Sequence, residues 1–277
     1  MRVTGIFRYP VKGFRGTALE SATVEPCGLA GDRRWMVVNA QGRFLTQRQL
    51  PAMARFDAML SDGYLTLRIG DDHFEVPRLP PAVGAQGGRI SVVVWRSQLE
   101  AATVDPAADR WLSSHLGQPC RLVHLDDPQA RPVEASHGRP GEHVSFADAF
   151  PVLLTNTGSL AVLNEALDRR IGMDRFRANL VVEGAPAWAE DDWRLLRIGS
   201  MVFRAAKSCV RCVVTSIDQR SGEITRPGEP LRALGRMHRR QDGIVFGNNL
   251  VPQGHGMVAL GDRVEILDQA TFPQEKS

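Results

Sequence analysis

The sequence predicts a mainly β protein, a β-rich α+β chain with a few helices. Three observations carry this. Short runs rich in Val, Ile, Leu and aromatic residues recur along the chain, separated by Gly, Pro, Asn and Asp turns at intervals typical of a barrel or sandwich. Only two long stretches carry helix signals, in capping residues or in apolar spacing. No Gly-x-Gly-x-x-Gly follows a strand, and no Walker-type loop or Gly-x-Ser-x-Gly elbow occurs, which argues against a doubly wound fold.

In chain order, residues 2–9 alternate around Val3, Ile6 and Phe7 and form a strand that Pro10 ends. Residues 11–16 turn on two glycines, 18–25 are a second strand-like run, and 26–31 are a loop. Residues 34–39 make a strong strand, closed by a Gln41-Gly42 turn into 43–46. Short strands follow at 56–60, Tyr64–Ile69, 73–76, 90–95 and 100–104. Pro106–Leu116 is the first helix, with Asp105 as its cap, Pro106 at the first position and Gly117 as its stop. The second covers 159–171, on Leu160, Leu163, Leu167 and Ile171, with Gly172 at its end. Between them the polar segment 126–142 reads as a mobile loop or linker, and the domain boundary falls beside it, giving 1–124 and 125–277. Strands return at 179–183, Trp193–Ile198, 201–205, 213–217, 244–250, 257–260 and 264–267, with a short helix over 230–239.

Composition sets the outer limits. Hydrophobic residues make up 43% and charged residues 23%, the balance of an ordinary soluble globular chain. A formal net charge of +3 gives no ground for a nucleic-acid partner. Of the 34 basic residues only Lys12, Lys207 and Lys276 are lysine; Lys12 falls in the turn 11–16 and Lys207 in the stretch 205–218 that holds the cysteine pair. Four cysteines are too few for a disulfide scaffold, and the start lacks a cleavage-like signal. No apolar run approaches the roughly 20 residues that span a bilayer. The expectation is a cytoplasmic protein with reduced thiols and no membrane contact.

The stretch Cys209-Val210-Arg211-Cys212 holds two thiols three positions apart with an arginine beside the second. A thiolate suits soft metals, and a neighbouring arginine favours the ligating form. A thioredoxin-type pair needs a helix after it, whereas Val213-Val214-Thr215 reads as strand. A structural zinc site lacks a second pair, and a buried pair without chemistry stays open. Elsewhere Lys12 sits in a glycine-flanked turn with Gly13, Arg33 follows Gly31-Asp32, and Arg175 and Arg177 precede Asn179. Guanidinium forks and lysine bind phosphate, and an Asn amide reads a heterocycle edge, although each alone is also an ordinary surface residue. Thr155 and Asn156 precede a helix, which allows either an N-cap or an anion seat. The seven histidines show no metal-ligand spacing.

Together these stretches resemble the MOSC proteins with an N-terminal MOSC β-barrel domain, the group that holds the mitochondrial amidoxime-reducing components and their bacterial counterparts. The matching landmarks are Tyr9-Pro10-Val11-Lys12-Gly13, Gly31-Asp32-Arg33-Arg34-Trp35, Leu45-Thr46-Gln47-Arg48, Arg175-Phe176-Arg177-Ala178-Asn179, Ala189-Glu190-Asp191-Asp192-Trp193 and Cys209-Val210-Arg211-Cys212. The resemblance implies two β-barrel-like parts with a molybdenum cofactor, a molybdopterin, in the cleft between them. By position Cys212 becomes the metal ligand and catalytic residue, while Cys209 does not ligate. Lys12, Gly13, Arg33, Arg177 and Asn179, and more weakly Thr155 and Asn156, become cofactor contacts; Gly13 stands where relatives can place a serine. The implied activity is a molybdenum-dependent oxidoreductase reducing small N-hydroxylated compounds: hydroxylamines, amidoximes and N-hydroxylated bases. Sulfur transfer through a Cys212 persulfide and cofactor delivery without turnover are the alternatives. The chain ends in a polar tail, Gln274 to Ser277, with no fused ferredoxin domain, so electrons are expected from a separate ferredoxin- or flavin-type protein. Asp218 and His255 are the candidate proton donors.

Overall fold

Alternating runs become two-faced strands: Tyr64–Ile69 buries Leu65 and Leu67, and Ser21–Glu25 buries Ala22 and Val24, with their neighbours turned outward. The computed structural model describes residues 1–78 and 88–270, so the polar tail at Gln274 to Ser277 lies outside it. The architecture is mainly β. The largest sheet has nine strands, and its path runs Val264–Gln269, Trp193–Ile198, Met201–Val210, Gly243–Pro252, Val152–Asn156, Leu180–Glu183, Arg2–Arg8, Thr17–Leu19. The two-residue strand Arg239–Arg240 pairs beside this path with Gly243–Pro252. Val152–Asn156 and Leu180–Glu183 run parallel, and the helix Thr157–Glu165 lies in the crossover that a parallel pair requires.

A four-stranded sheet of Trp35–Asn39, Cys120–His124, Ser97–Thr103 and Arg89–Val94 forms the other main layer. Beside it stands the meander Asp57–Leu60, Tyr64–Ile69, Asp72–Pro77. The N-terminal strands do not stay in their own half. Arg2–Arg8 pairs with Leu180–Glu183, and Ser21–Glu25 pairs with Gly256–Ala259. Two sheets thus contain strands from both sides of a cut after residue 124, while the four-stranded sheet and the meander lie wholly before it. One apolar cluster, including Val3, Ile6, Leu154, Leu180, Phe203 and Leu250, fills the large sheet; another, including Phe14, Trp35, Phe56, Leu65, Leu112 and Leu122, fills the N-terminal part. Each such fully buried side chain contributes roughly 1.5–3 kcal/mol relative to exposure.

The first helix forms as its local signals require. The Asp105 side chain accepts from Ala107 N at 2.7 Å, Pro106 opens the helix, and Gly117 leaves it at φ 69. The second is shorter than its apolar spacing predicts, ending at Glu165 instead of 171. The Asn164 amide brackets Ile171, accepting from its N–H at 2.8 Å and donating to its carbonyl at 3.1 Å. Leu167 and Ile171 thus reach the same cluster as Leu163 and Phe176 through a loop.

Two further expectations are corrected. Residues 213–217 are not a strand: the strand Met201–Val210 ends before Cys212, and Val213–Ser216 is a 3-10 turn. The Cys212 carbonyl accepts from both Thr215 N (3.1 Å) and Thr215 Oγ1 (2.9 Å), a local closure that overrides the β preference of Val213 and Val214. Segment 126–142 is no loose linker. Arg131 in its middle is 4% exposed, Val133 and Val144 pack with Phe150 and Val251, and Pro132 bridges His143.

Candidate active site

A cleft of about 340 Å³ opens where residues from both ends of the chain converge. Six basic side chains line it (Lys12, Arg33, Arg48, Arg177, Lys207 and Arg211) against two acidic ones, Glu134 and Asp148. That excess makes the cleft locally positive in a chain whose net charge is only +3. Four non-glycine residues have positive φ among the described residues, and three of them line this cleft: Arg33 (φ 48), Trp95 (φ 55) and Arg177 (φ 56). Such conformations disfavour L side chains and concentrate at functional sites.

Lys12 is set by the chain entering from Arg2–Arg8: its N–H donates to Trp35 O at 2.8 Å, fixing the turn on the strand Trp35–Asn39. The side chain is buried, and its Nζ donates to Phe146 O at 2.7 Å and to Asp148 Oδ1 at 2.5 Å. Burial pushes the Lys12 ammonium down to about 8, opposed by Asp148. Asp148 is the converse case. Its enclosure in the cleft works against ionisation, but Lys12, with Trp95 Nε1 donating at 3.1 Å, holds the carboxyl well below the usual carboxylate range. Its side chain stays 68% accessible, so this charge meets water in the cleft. Gly13 next to Lys12 has φ +87, and a Cβ there would lie 2.8 Å from Met53 Cε; a serine at this position needs a different turn.

Arg33 donates to Asp32 Oδ2 at 2.6 Å, Asn179 Oδ1 at 2.9 Å and Arg177 O at 3.0 Å. Asn179 is 1% exposed and its amide is already engaged, accepting also from Leu153 N at 3.2 Å and donating to Phe7 O at 3.1 Å. It orients Arg33 more than it offers a free edge. Arg177 donates to Gln219 Oε1 at 3.0 Å, and burial, with Arg33 alongside, pushes its guanidinium down to about 10. Gln219 and Gln47 pair their amides reciprocally at 3.0 Å, and Gln47 also donates to Gly13 O at 2.7 Å. Cys212 lines the cleft just past the end of its strand, whose register slips between Ser208 and Val210. Arg211 donates to Cys209 Sγ at 2.8 Å and to Phe176 O at 2.7 Å, while its buried Nε has no hydrogen-bond partner among the described residues.

The structure thus gathers Lys12, Gly13, Arg33, Arg177, Asn179 and Cys212 around one cleft. It does not bring Thr155 and Asn156 there. Both are fully buried, and Asn156 caps the helix Thr157–Glu165 by accepting from Gly158 N at 3.0 Å while donating to Pro186 O at 2.7 Å. Asp218 accepts from Arg175 at 3.0 Å and faces a separate groove, and His255 is not among the cleft-lining residues. Sequence reasoning missed Trp95, Arg131 and Asp148, and quoted Tyr9 within a motif without giving it a role. Gln47 lay inside a quoted motif without a role, and only its burial in the structure shows what it does.

Comparison with known proteins places this geometry. The family profile for the MOSC N-terminal beta barrel domain matches residues 1–119, and that for the MOSC domain matches residues 141–265. The human mitochondrial amidoxime-reducing component 1 is 30% identical over 96% of this chain and 83% of its own length. Molybdenum cofactor sulfurase of Solanum lycopersicum is 26% identical over 95% of this chain, which spans 35% of that protein. Among solved structures, the YUAD protein from Bacillus subtilis aligns over 95% of this chain at 10% identity with a TM-score of 0.39, too distant to add to the assignment. The chain belongs to the MOSC-domain proteins that carry an N-terminal MOSC β-barrel. The name of the sulfurase relative ties that family to the molybdenum cofactor.

Proposed function

We propose that this protein is a molybdenum-cofactor enzyme that reduces small N-hydroxylated compounds, fed by a separate electron-transfer protein. One observation carries the reading. A soft sulfur ligand, Cys212, shares a cleft with buried or half-buried cations drawn from distant segments, Lys12, Arg33 and Arg177. The residues fit the group: the cationic excess suits an anionic carrier, and Arg211 Nε, unpartnered among the described residues, offers a further donor next to Cys212 in sequence.

When bound, the cofactor supplies two-electron redox chemistry at a metal. The net conversion takes R–NH–OH, two electrons and two protons to R–NH2 and water. Cys212 offers the thiolate. Arg33 and Arg177 hold the anionic portion, and Asn179 and Gln219 keep those guanidiniums aimed. Asp148, kept ionised, holds Lys12 charged and in place, while Leu153, Phe150 and Phe176 form the apolar part of the wall.

The test is elemental and pterin analysis of protein made in a host that synthesises the cofactor, followed by reduction of a hydroxylamine and an amidoxime with an artificial donor. Stoichiometric molybdenum and amine formation are expected. Cyanide-labile sulfur without molybdenum would overturn the reading in favour of sulfur transfer. Molybdenum without turnover would leave a carrier protein instead.

A further inference from the structure

Arg33 and Arg177 stand 144 residues apart in sequence, yet both guanidiniums lie against one ring. The guanidinium carbon of Arg33 is 4.1 Å from the Tyr9 ring centroid, and that of Arg177 is 4.5 Å away. Tyr9 is 3% exposed and held at every end. Its N–H donates to Asp32 Oδ1 at 2.8 Å, its carbonyl accepts from Arg33 N at 2.7 Å, and its hydroxyl donates to Ala178 O at 3.1 Å, on the residue after Arg177. The ring also presses on Gly16, where a Cβ would lie 2.4 Å from Tyr9 Cε1. Two cations this close repel, and among the described residues the one carboxylate bonded to either guanidinium is Asp32, at 2.6 Å from Arg33. Arg33 Nε, Arg177 Nε and Arg177 Nη2 make no hydrogen bond among the described residues.

We propose that Tyr9 is a positioning residue: the electron-rich π system of its ring carries both guanidiniums and makes two mutually repelling cations into one seat for a doubly charged anionic group, such as the phosphate end of the cofactor. This rests on the cofactor reading given above. The physical basis is the attraction of cations to an aromatic face, strongest where water is excluded. A ring serving only to fill space needs no such charge distribution. The backbone agrees: both arginines are held at positive φ, a cost the fold sustains where their side chains must converge.

The test uses the full chain made in a cofactor-synthesising host, with molybdenum and pterin per chain and thermal midpoint as readouts. Tyr9→Phe keeps the ring and is expected to stay within about twofold of the original occupancy, because the cation–ring contacts remain. Tyr9→Leu removes the aromatic face and is expected to lose about tenfold or more. Phenylalanines carrying one, two and three fluorines at position 9 keep the shape and drain charge from the ring face. Occupancy is expected to fall stepwise along that series with the thermal midpoint of the cofactor-free chain unchanged, which keeps the test open if Tyr9→Leu does not fold. Equal occupancy across the fluorinated series overturns the role of Tyr9. An original chain without molybdenum and pterin instead overturns the cofactor reading beneath it.

Discussion

The Arg211 guanidinium donates to the sulfur of Cys209 at 2.8 Å, so the two cysteines of the Cys-x-x-Cys stretch are not equivalent. Both cysteines line the cleft, but Cys209 belongs to the strand and is partnered from within the protein, whereas Cys212 lies beyond the strand end. Cys212→Ser is expected to lose molybdenum and activity with little change in melting. Cys209→Ser should keep most of both. Molybdenum content and melting curves of the two variants check this; matched losses would contradict the ligand assignment.

Arg131 holds the far wall. Its guanidinium donates to Ser145 O at 2.8 Å, to Ala147 O and to Asp148 O at 2.9 Å, fixing the loop that presents Asp148 to Lys12. Arg131→Met leaves buried carbonyls without donors and should cost on the order of 3 kcal/mol. Urea unfolding measures it, and a loss within experimental scatter would show that the loop holds itself.

The Lys12–Asp148 pair makes stability rise with pH at both ends of the scale, in two separate windows. Lys12 titrates near 8 in the folded protein against 10.5 for the free group, so the unfolded chain binds that proton more tightly between those values. Stability conferred by this site therefore rises with pH from about 8 to about 10.5, by at most ~3 kcal/mol. For Asp148 the folded value is depressed, so its contribution is present above the usual carboxylate range and lost as pH falls below it. Subtracting the unfolding curve of Lys12→Met isolates the alkaline part; a flat difference there would rule out the depressed lysine.

Arg177 at φ 56 supplies a backbone test. Arg177→Gly and Arg177→Ala lose the same guanidinium, but only glycine accepts this conformation without steric cost. The glycine variant should be more stable by about 1 kcal/mol, while both lose cofactor retention. Chemical unfolding of the pair decides it.

What was legible in the sequence was local or strongly periodic. Asp105, Pro106 and Gly117 specify their helix without help from distant residues, and Leu65 and Leu67 declare a strand by alternation. Where neighbours across the fold decide, the reading failed. Val213 and Val214 favour strand, but a carbonyl three residues before Thr215 closes a turn. Leu167 and Ile171 keep helical spacing although Asn164 breaks the helix first. Of the candidate site, residues belonging to a recognisable motif were named, and the structure brings six of the eight together. Asp148 and Arg131 carry no local signature: an ordinary loop aspartate and an arginine in a Pro- and Gly-rich stretch gain their roles only from what folds over them. Positive φ at Arg33 and Arg177 was equally hidden, because arginine does not announce that conformation.

The placement of Arg2–Arg8 between Thr17–Leu19 and Leu180–Glu183 bears on how the molecule is made. On a ribosome adding 5–20 residues each second, this strand waits roughly ten to thirty seconds for its second neighbour to emerge. Throughout that interval one edge of it stays open to mispairing with other nascent chains. Slowing translation or withholding chaperones should therefore lower the yield of soluble protein even when every finished molecule is stable.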